Sequence, residues 1–178
     1  LTNLINHETL AYCVGGIGIL LEWHSYHLTC GKAFRRWSAL GAIFWAGQYA
    51  LLNAWTAGLT MGFTAVRTLM SSDNREHGIF KHWAASGFCL IFGILTMLSW
   101  QGWVSLLPAA AVINTTLALF YLDNKSMRIA LLASSFAWIS NDLYWHAWPA
   151  LIAESVAMGI NIRTIHSLMQ KAQSTLSL

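Results

Sequence analysis

Polar side chains that could do chemistry stand inside long apolar runs: Gln48 and Asn53, then Asn114, Thr115 and Thr116, then Asn141 and Asp142, and finally Glu154 and Asn161. Such groups are expensive in an apolar surrounding, so they turn toward one another or line a solute path. An amide offers donors and acceptors together. Gln48 and Asn141, walled by Trp45 and Trp138, can therefore hold a polar, uncharged solute, with Asn114 and Glu154 as further contacts. The same side chains can equally form hydrogen bonds that only fasten helices together. Both readings stay open. Glu154 and Asp142 can bind a proton or a cation, although Asp142 directly precedes a short connection, where a carboxylate can reach interfacial water.

Three further groups carry weaker chemistry. Arg67 and Arg163 sit near the ends of apolar segments and read as an inner gate or anion contact, or as side chains that snorkel to lipid phosphates. In EWHSYHLTC at 22–30, His24 and His27 share a helix face, but Glu22 points elsewhere, so Glu22, His24, His27 and Cys30 are not assigned a metal. No HExxH, nucleophile elbow, P-loop or CxxC pattern is present. The expectation is a protein that is not an enzyme and carries no cofactor.

The elements that position these residues follow from composition. Of 178 residues, 56% are hydrophobic and 10% are charged, and the mean hydropathy is +0.50. A soluble domain carries about 25% charged residues. A bilayer span takes about 20 residues, so about seven spans use nearly the whole chain and leave no room for a soluble domain. Cys13, Cys30 and Cys89 are odd in number and lie in apolar runs, which disfavours a disulfide scaffold. The net charge of +3 comes from ten scattered Lys and Arg without a basic stripe, so nucleic acid is not an expected partner. LTNLINHETL has no positive n-region and is not read as a cleaved signal peptide; because the chain begins at Leu1, residues are expected upstream of it.

Seven apolar segments are legible, at about Thr9–Leu28, Trp37–Ala54, Trp55–Met70, Trp83–Trp100, Trp103–Leu122, Ile129–Trp145 and Pro149–Ile165. They lack the period-two alternation of barrel strands, so the fold class is all-α, a polytopic membrane protein. Lys32, Arg35, Arg36, Arg67, Arg75, Lys81, Lys125, Arg128, Arg163 and Lys171 then all fall on one side, while the connections at 54–55, 101–102 and 146–148 carry no Lys or Arg. The excess of cations in cytoplasmic loops places the N-terminus outside and the C-terminus in the cytoplasm. Trp55, Trp100, Trp103, Trp145 and Trp148 flank the opposite connections as an aromatic belt would.

The halves of the chain also align. At an offset of 93 residues Lys32 meets Lys125, Arg35 meets Arg128, Trp45 meets Trp138, Gln48 meets Asn141, Ala54 meets Ala147 and Trp55 meets Trp148; after a three-residue shift VRT at 66–68 meets IRT at 162–164. The expected plan is a single transmembrane domain: repeat 1 at about 9–70, a linker helix at about 83–100, and repeat 2 at about 103–165. Three helices reverse the side of the chain, so one linker helix makes the repeats parallel.

This three-plus-one-plus-three plan resembles the SWEET and PQ-loop superfamily of small transporters. Closer in sequence, NTTLALFY at 114–121, MR at 127–128, Trp138, Asn141, Glu154, MGINIR at 158–163 and the MQK ending at Lys171, with AVRTLM at 65–70, resemble the YgjV-type bacterial inner-membrane proteins over about residues 10 to 171. The first resemblance implies alternating access, with a hinge in the first helix of each repeat. Pro108, inside the fifth segment, should kink its helix; its mate is Gly15, followed by Gly16. These positions read as hinges or, equally, as a static kink and a close helix contact. The second resemblance implies a bacterial inner-membrane location and no settled activity. The leading expectation is a transporter or binding protein for a small polar solute. The alternative is a non-transporting accessory or assembly subunit of a larger inner-membrane complex; the expected partners are membrane lipids and either a homo-oligomer or that larger complex.

Overall fold

The computed structural model describes residues 6–27, 31–70, 78–122 and 124–176. These form seven α-helices and no strand: α1 His7–His27, α2 Gly31–Leu51, α3 Trp55–Met70, α4 Gly78–Leu98, α5 Leu106–Tyr121, α6 Asn124–Tyr144 and α7 Trp148–Leu176, with a short 3₁₀ turn at Trp103–Ser105 before α5. The α3 bounds are those read from hydropathy. By contrast, α2, α4 and α6 begin five or six residues earlier than expected, and α7 runs well past Ile165. Hydropathy sees only the apolar part of a helix, whereas Lys, Arg and Gln are good helix formers and extend it. Cys30 and Arg75 lie outside the described residues, as do the side chains of His27, Lys32, Arg35, Lys125 and Lys171.

Contacts give the directions. Gly15 and Gly18 on α1 face Gln48 and Trp45 on α2, so these helices are antiparallel. On α5 and α6, Ala111 and Asn114 meet Ser134 and Ala130, again antiparallel. Thr56 and Arg67 on α3 meet Ser105 and Thr116, so α3 runs parallel to α5. Thus α1–α2–α3 and α5–α6–α7 are triplets that run in the same sense. In each triplet the middle helix packs against both others; α1 meets α7, α3 meets α5, and α4 packs beside α3 and α5.

The turns that lead into α3 and α7 are built alike. Asn53 has φ 61° and His146 has φ 52°, a left-handed conformation that Asn and His adopt more readily than most residues. Leu52 N–H donates to Gln48 O at 3.0 Å and Trp145 N–H to Asn141 O at 3.0 Å. Ala54 N–H donates to Tyr49 O at 2.8 Å and Ala147 N–H to Asp142 O at 2.8 Å. At this turn end, Gln101 ties the α4–α5 connection to the first turn, donating from Nε2 to Asn53 O at 2.7 Å and accepting at Oε1 from Trp55 N–H at 2.9 Å. The opposite end carries Arg36, Lys81 and Arg128 and is called the charged end below.

The interior mixes an aromatic and small-residue core with buried polar groups. Gln48, Asn141, Asp142, Thr60 and Thr116 are fully buried, while Trp83 is 74% exposed, Met97 78% and Trp103 82%. Helices that meet in lipid do so through small and polar residues, leaving large apolar groups to the lipid. Among the described residues two segments, Phe80–Leu98 and Trp103–Tyr121, are long and apolar enough to cross a membrane by length and composition.

Candidate functional site

Two adjoining cavities lie between the triplets. The narrower one, about 130 Å³, is walled by Trp45 and Tyr49 from α2 and Trp138 and Asp142 from α6, with Met61 and Thr64 from α3 and Glu154 from α7. Tyr49 stacks on Trp138 at 5.8 Å between ring centroids and donates its hydroxyl to Asp142 Oδ1 at 2.5 Å. The turn that ends each middle helix brings these side chains together: Tyr49 and Asp142 both accept, through their carbonyls, the N–H that closes the turn. Trp45 donates Nε1–H to Glu22 Oε2 at 3.1 Å, and the indole fits because Gly18 lets it approach the α1 backbone. Glu154 shares the lining of the adjoining cavity with Ser135.

A wider cavity of about 750 Å³ continues toward the charged end. It shares Glu22, Met61, Thr64, Trp138 and Glu154 with the first and adds Arg67, Arg128 and Asn161. Arg128 and Asn161 hold α6 to α7 through two bonds, Arg128 Nη1 to Asn161 Oδ1 at 3.2 Å and Asn161 Nδ2 to Arg128 O at 2.9 Å. Arg67 crosses from α3 to α5, donating Nη1 to Thr116 Oγ1 at 2.8 Å and to Val112 O at 3.3 Å, with its guanidinium 5.9 Å from the Phe92 ring centre.

The residues singled out from sequence divide into two sets. Trp45, Trp138 and Glu154 line the cavity. Gln48, Asn141 and Asn114 line neither cavity. Asn114 instead bonds Ala130 O at 2.6 Å and Ser134 Oγ at 2.8 Å, which fastens α5 to α6. Gln48 is fully buried against Gly15 with neither Nε2 nor Oε1 partnered, and Asn141 reaches Asp142 Oδ1 at 3.4 Å while its Oδ1 has no protein partner. The lining of the narrow cavity is therefore aromatic and acidic, because Gln48 turns toward α1 and Asn114 toward α6.

Other expectations also change. Asp142 does not reach water but is 1% exposed, since the turn folds it back toward Tyr49. Arg67 does not snorkel to lipid: it is 5% exposed inside the bundle, whereas Arg163 is exposed on α7. Pro108 is the third residue of α5, in a first turn where a missing N–H leaves no intrahelical bond unmade, so it forces no mid-helix kink. Gly15 is a close-contact position, where a Cβ would fall 1.7 Å from Gln48 Oε1 and 2.9 Å from Pro149 Cβ. His24 packs edge-on against Trp37 and Glu22 turns to Trp45, so the EWHSYHLTC ligands diverge where they are described.

Sequence reasoning missed Tyr49, Thr64, Arg128 and the cavity role of Glu22. A signal existed for Tyr49, which stands 93 positions before Asp142, and for Glu22, an acid set in the apolar run ILLEW.

No curated protein and no solved structure matches the chain. A family model does, from residue 9 to residue 172, and so spans nearly all of the helical bundle that encloses both cavities. The chain belongs to the Imp-YgjV family of bacterial inner membrane proteins.

Proposed function

We propose that this inner membrane protein binds a small polar solute between its two triplets and moves it across the membrane by alternating access. The observation that carries the reading is the connected space between the triplets, narrow beside Tyr49 and Asp142 and wide beside Arg67 and Arg128. In this reading all seven helices span the membrane, with the N-terminus outside and the charged end in the cytoplasm, so the structure is the inward-facing state. The Tyr49–Asp142 contact and the Gln101 bonds then close the outer side.

The triplets act as parallel repeats on the SWEET-like plan, and the twin turns at Asn53 and His146 support that duplication. Rocking occurs along the seams where α1 meets α7, beside Gly15, and where α3 meets α5, beside Pro108. No catalytic step and no cofactor enters this cycle.

The test is uptake by liposomes that carry the purified protein, with a panel of labelled amines, amino acids and sugars. Uptake of at least one solute, lowered tenfold or more by Trp138→Ala, is the expected result. No uptake of any solute, with stable co-purification of other membrane subunits, would instead support an accessory or assembly role.

A further inference from the structure

We infer that the solute is a small organic cation, an ammonium compound held among Trp45, Trp138 and Tyr49 with Asp142 and Glu154 as its counter-charges. This rests on the solute-binding reading above and names its substrate class. The narrow cavity presents three carboxylates, Glu22, Asp142 and Glu154, and no Lys, Arg or His among its described lining residues. Glu22 is engaged by the Trp45 indole, which leaves Asp142 and Glu154 as the acids to weigh. Asp142 is 1% exposed; its Oδ1 takes the Tyr49 hydroxyl and the Asn141 amide, while its Oδ2 has no partner in the protein. A buried carboxylate oxygen without a donor is unfavourable, and a bound cation removes that penalty.

The walls decide what kind of cation. A hard metal ion takes six to eight oxygens in its first sphere. Among the described residues no three His, Cys, Asp or Glu side chains converge closely enough to hold a metal. Trp45, Tyr49 and Trp138 instead line the space, and aromatic rings attract alkylated ammonium groups. The cavity volume of about 130 Å³ is enough for a compact ammonium and too loose for a bare ion. Arg67 and Arg128 line only the wider chamber, where they repel a cation back toward the acids.

The full chain in lipid nanodiscs, titrated with choline and with its uncharged isostere 3,3-dimethylbutan-1-ol, tests the assignment through Trp fluorescence and equilibrium dialysis. Choline should bind at least tenfold more tightly than the isostere. Glu154→Gln and Asp142→Asn should each weaken choline tenfold or more and leave the isostere unchanged; Glu154→Gln serves if Asp142→Asn fails to fold. Equal affinity for the two probes, or wild-type choline affinity in both variants, would overturn the cation. If neither probe binds while the liposome panel shows uptake of a neutral or anionic solute, the cation is wrong and the carrier stands. If nothing binds and nothing is taken up, both fall.

Discussion

Trp45 and Trp138 are separated by 93 positions and do the same work, each forming one aromatic wall of the narrow cavity. Tyr49 and Asp142 are separated by the same 93 positions and do complementary work, one donating the hydrogen bond that the other accepts. Met61 and Glu154 repeat that contrast, a thioether from the first triplet facing an acid from the second. Near the charged end the contrast reverses, because the first triplet buries Arg67 and the second exposes Arg163. Where paired positions agree, they shape the turns and walls. Where they differ, they place acid in the narrow cavity and a guanidinium in the wide one, so two similar triplets enclose a space that is electrostatically uneven.

The largest effect should come at Gly15, where α1 meets α7, with Pro108, 93 positions on, as the comparison. Gly15→Leu puts a side chain where even a Cβ falls 2.9 Å from the rigid Pro149 ring. Overpacking of this kind costs about 3 kcal/mol. Pro108→Ala restores an N–H in a first turn and trims two carbons from a buried ring, a loss of about 1 kcal/mol and smaller than the overpacking at Gly15. Thermal midpoints in detergent, read by Trp fluorescence, should fall sharply for the first and little for the second. Equal losses would mean that the two seams are packed alike.

Next comes the pair that bridges the triplets. Tyr49→Phe removes the hydroxyl donor from a buried carboxylate and should destabilise the protein by about 1.5–3 kcal/mol. Asp142→Asn keeps an acceptor and should lose less. If the two side chains act as a unit, the double variant is no worse than Tyr49→Phe alone, with a coupling of about 1 kcal/mol or more. Additive losses would separate the two residues and undo the complementary roles assigned to them.

The helix count was legible because it depends on local hydropathy, and the 93-residue spacing picked out Trp45 and Trp138, which the structure brings to one cavity. The pocket's polar groups were harder to read. Gln48 and Tyr49 are adjacent, yet one turns to Gly15 and the other to Asp142, and a helix rotates its direction by about 100° per residue, so neighbours in sequence face different surroundings. Asp142 looked solvated because the connection follows within a few residues; the left-handed turn at His146 that folds the chain back is a tertiary fact that no local pattern announces. Arg67 shows the same limit. A helix-end arginine can snorkel or cross inward, and only the placement of α5 beside α3 decides.

Arg67 therefore supplies the last test, and the smallest pair of effects. Thr116→Val leaves the buried guanidinium with Val112 O at 3.3 Å as its acceptor on α5, with Nε already lacking one. The loss should be about 1–2 kcal/mol, less than for Tyr49→Phe because one acceptor survives. Arg163→Gln alters an exposed position and should stay within about 0.5 kcal/mol. Thermal midpoints measured side by side give the comparison, with Thr116→Ser as the variant that retains a hydroxyl and should restore the wild-type value. If Thr116→Val matches Arg163→Gln, the guanidinium has found other partners and the α3–α5 seam is not held through it. If the difference appears and Thr116→Ser removes it, the two arginines that align in sequence hold different places in the membrane, one inside the bundle and one at its surface.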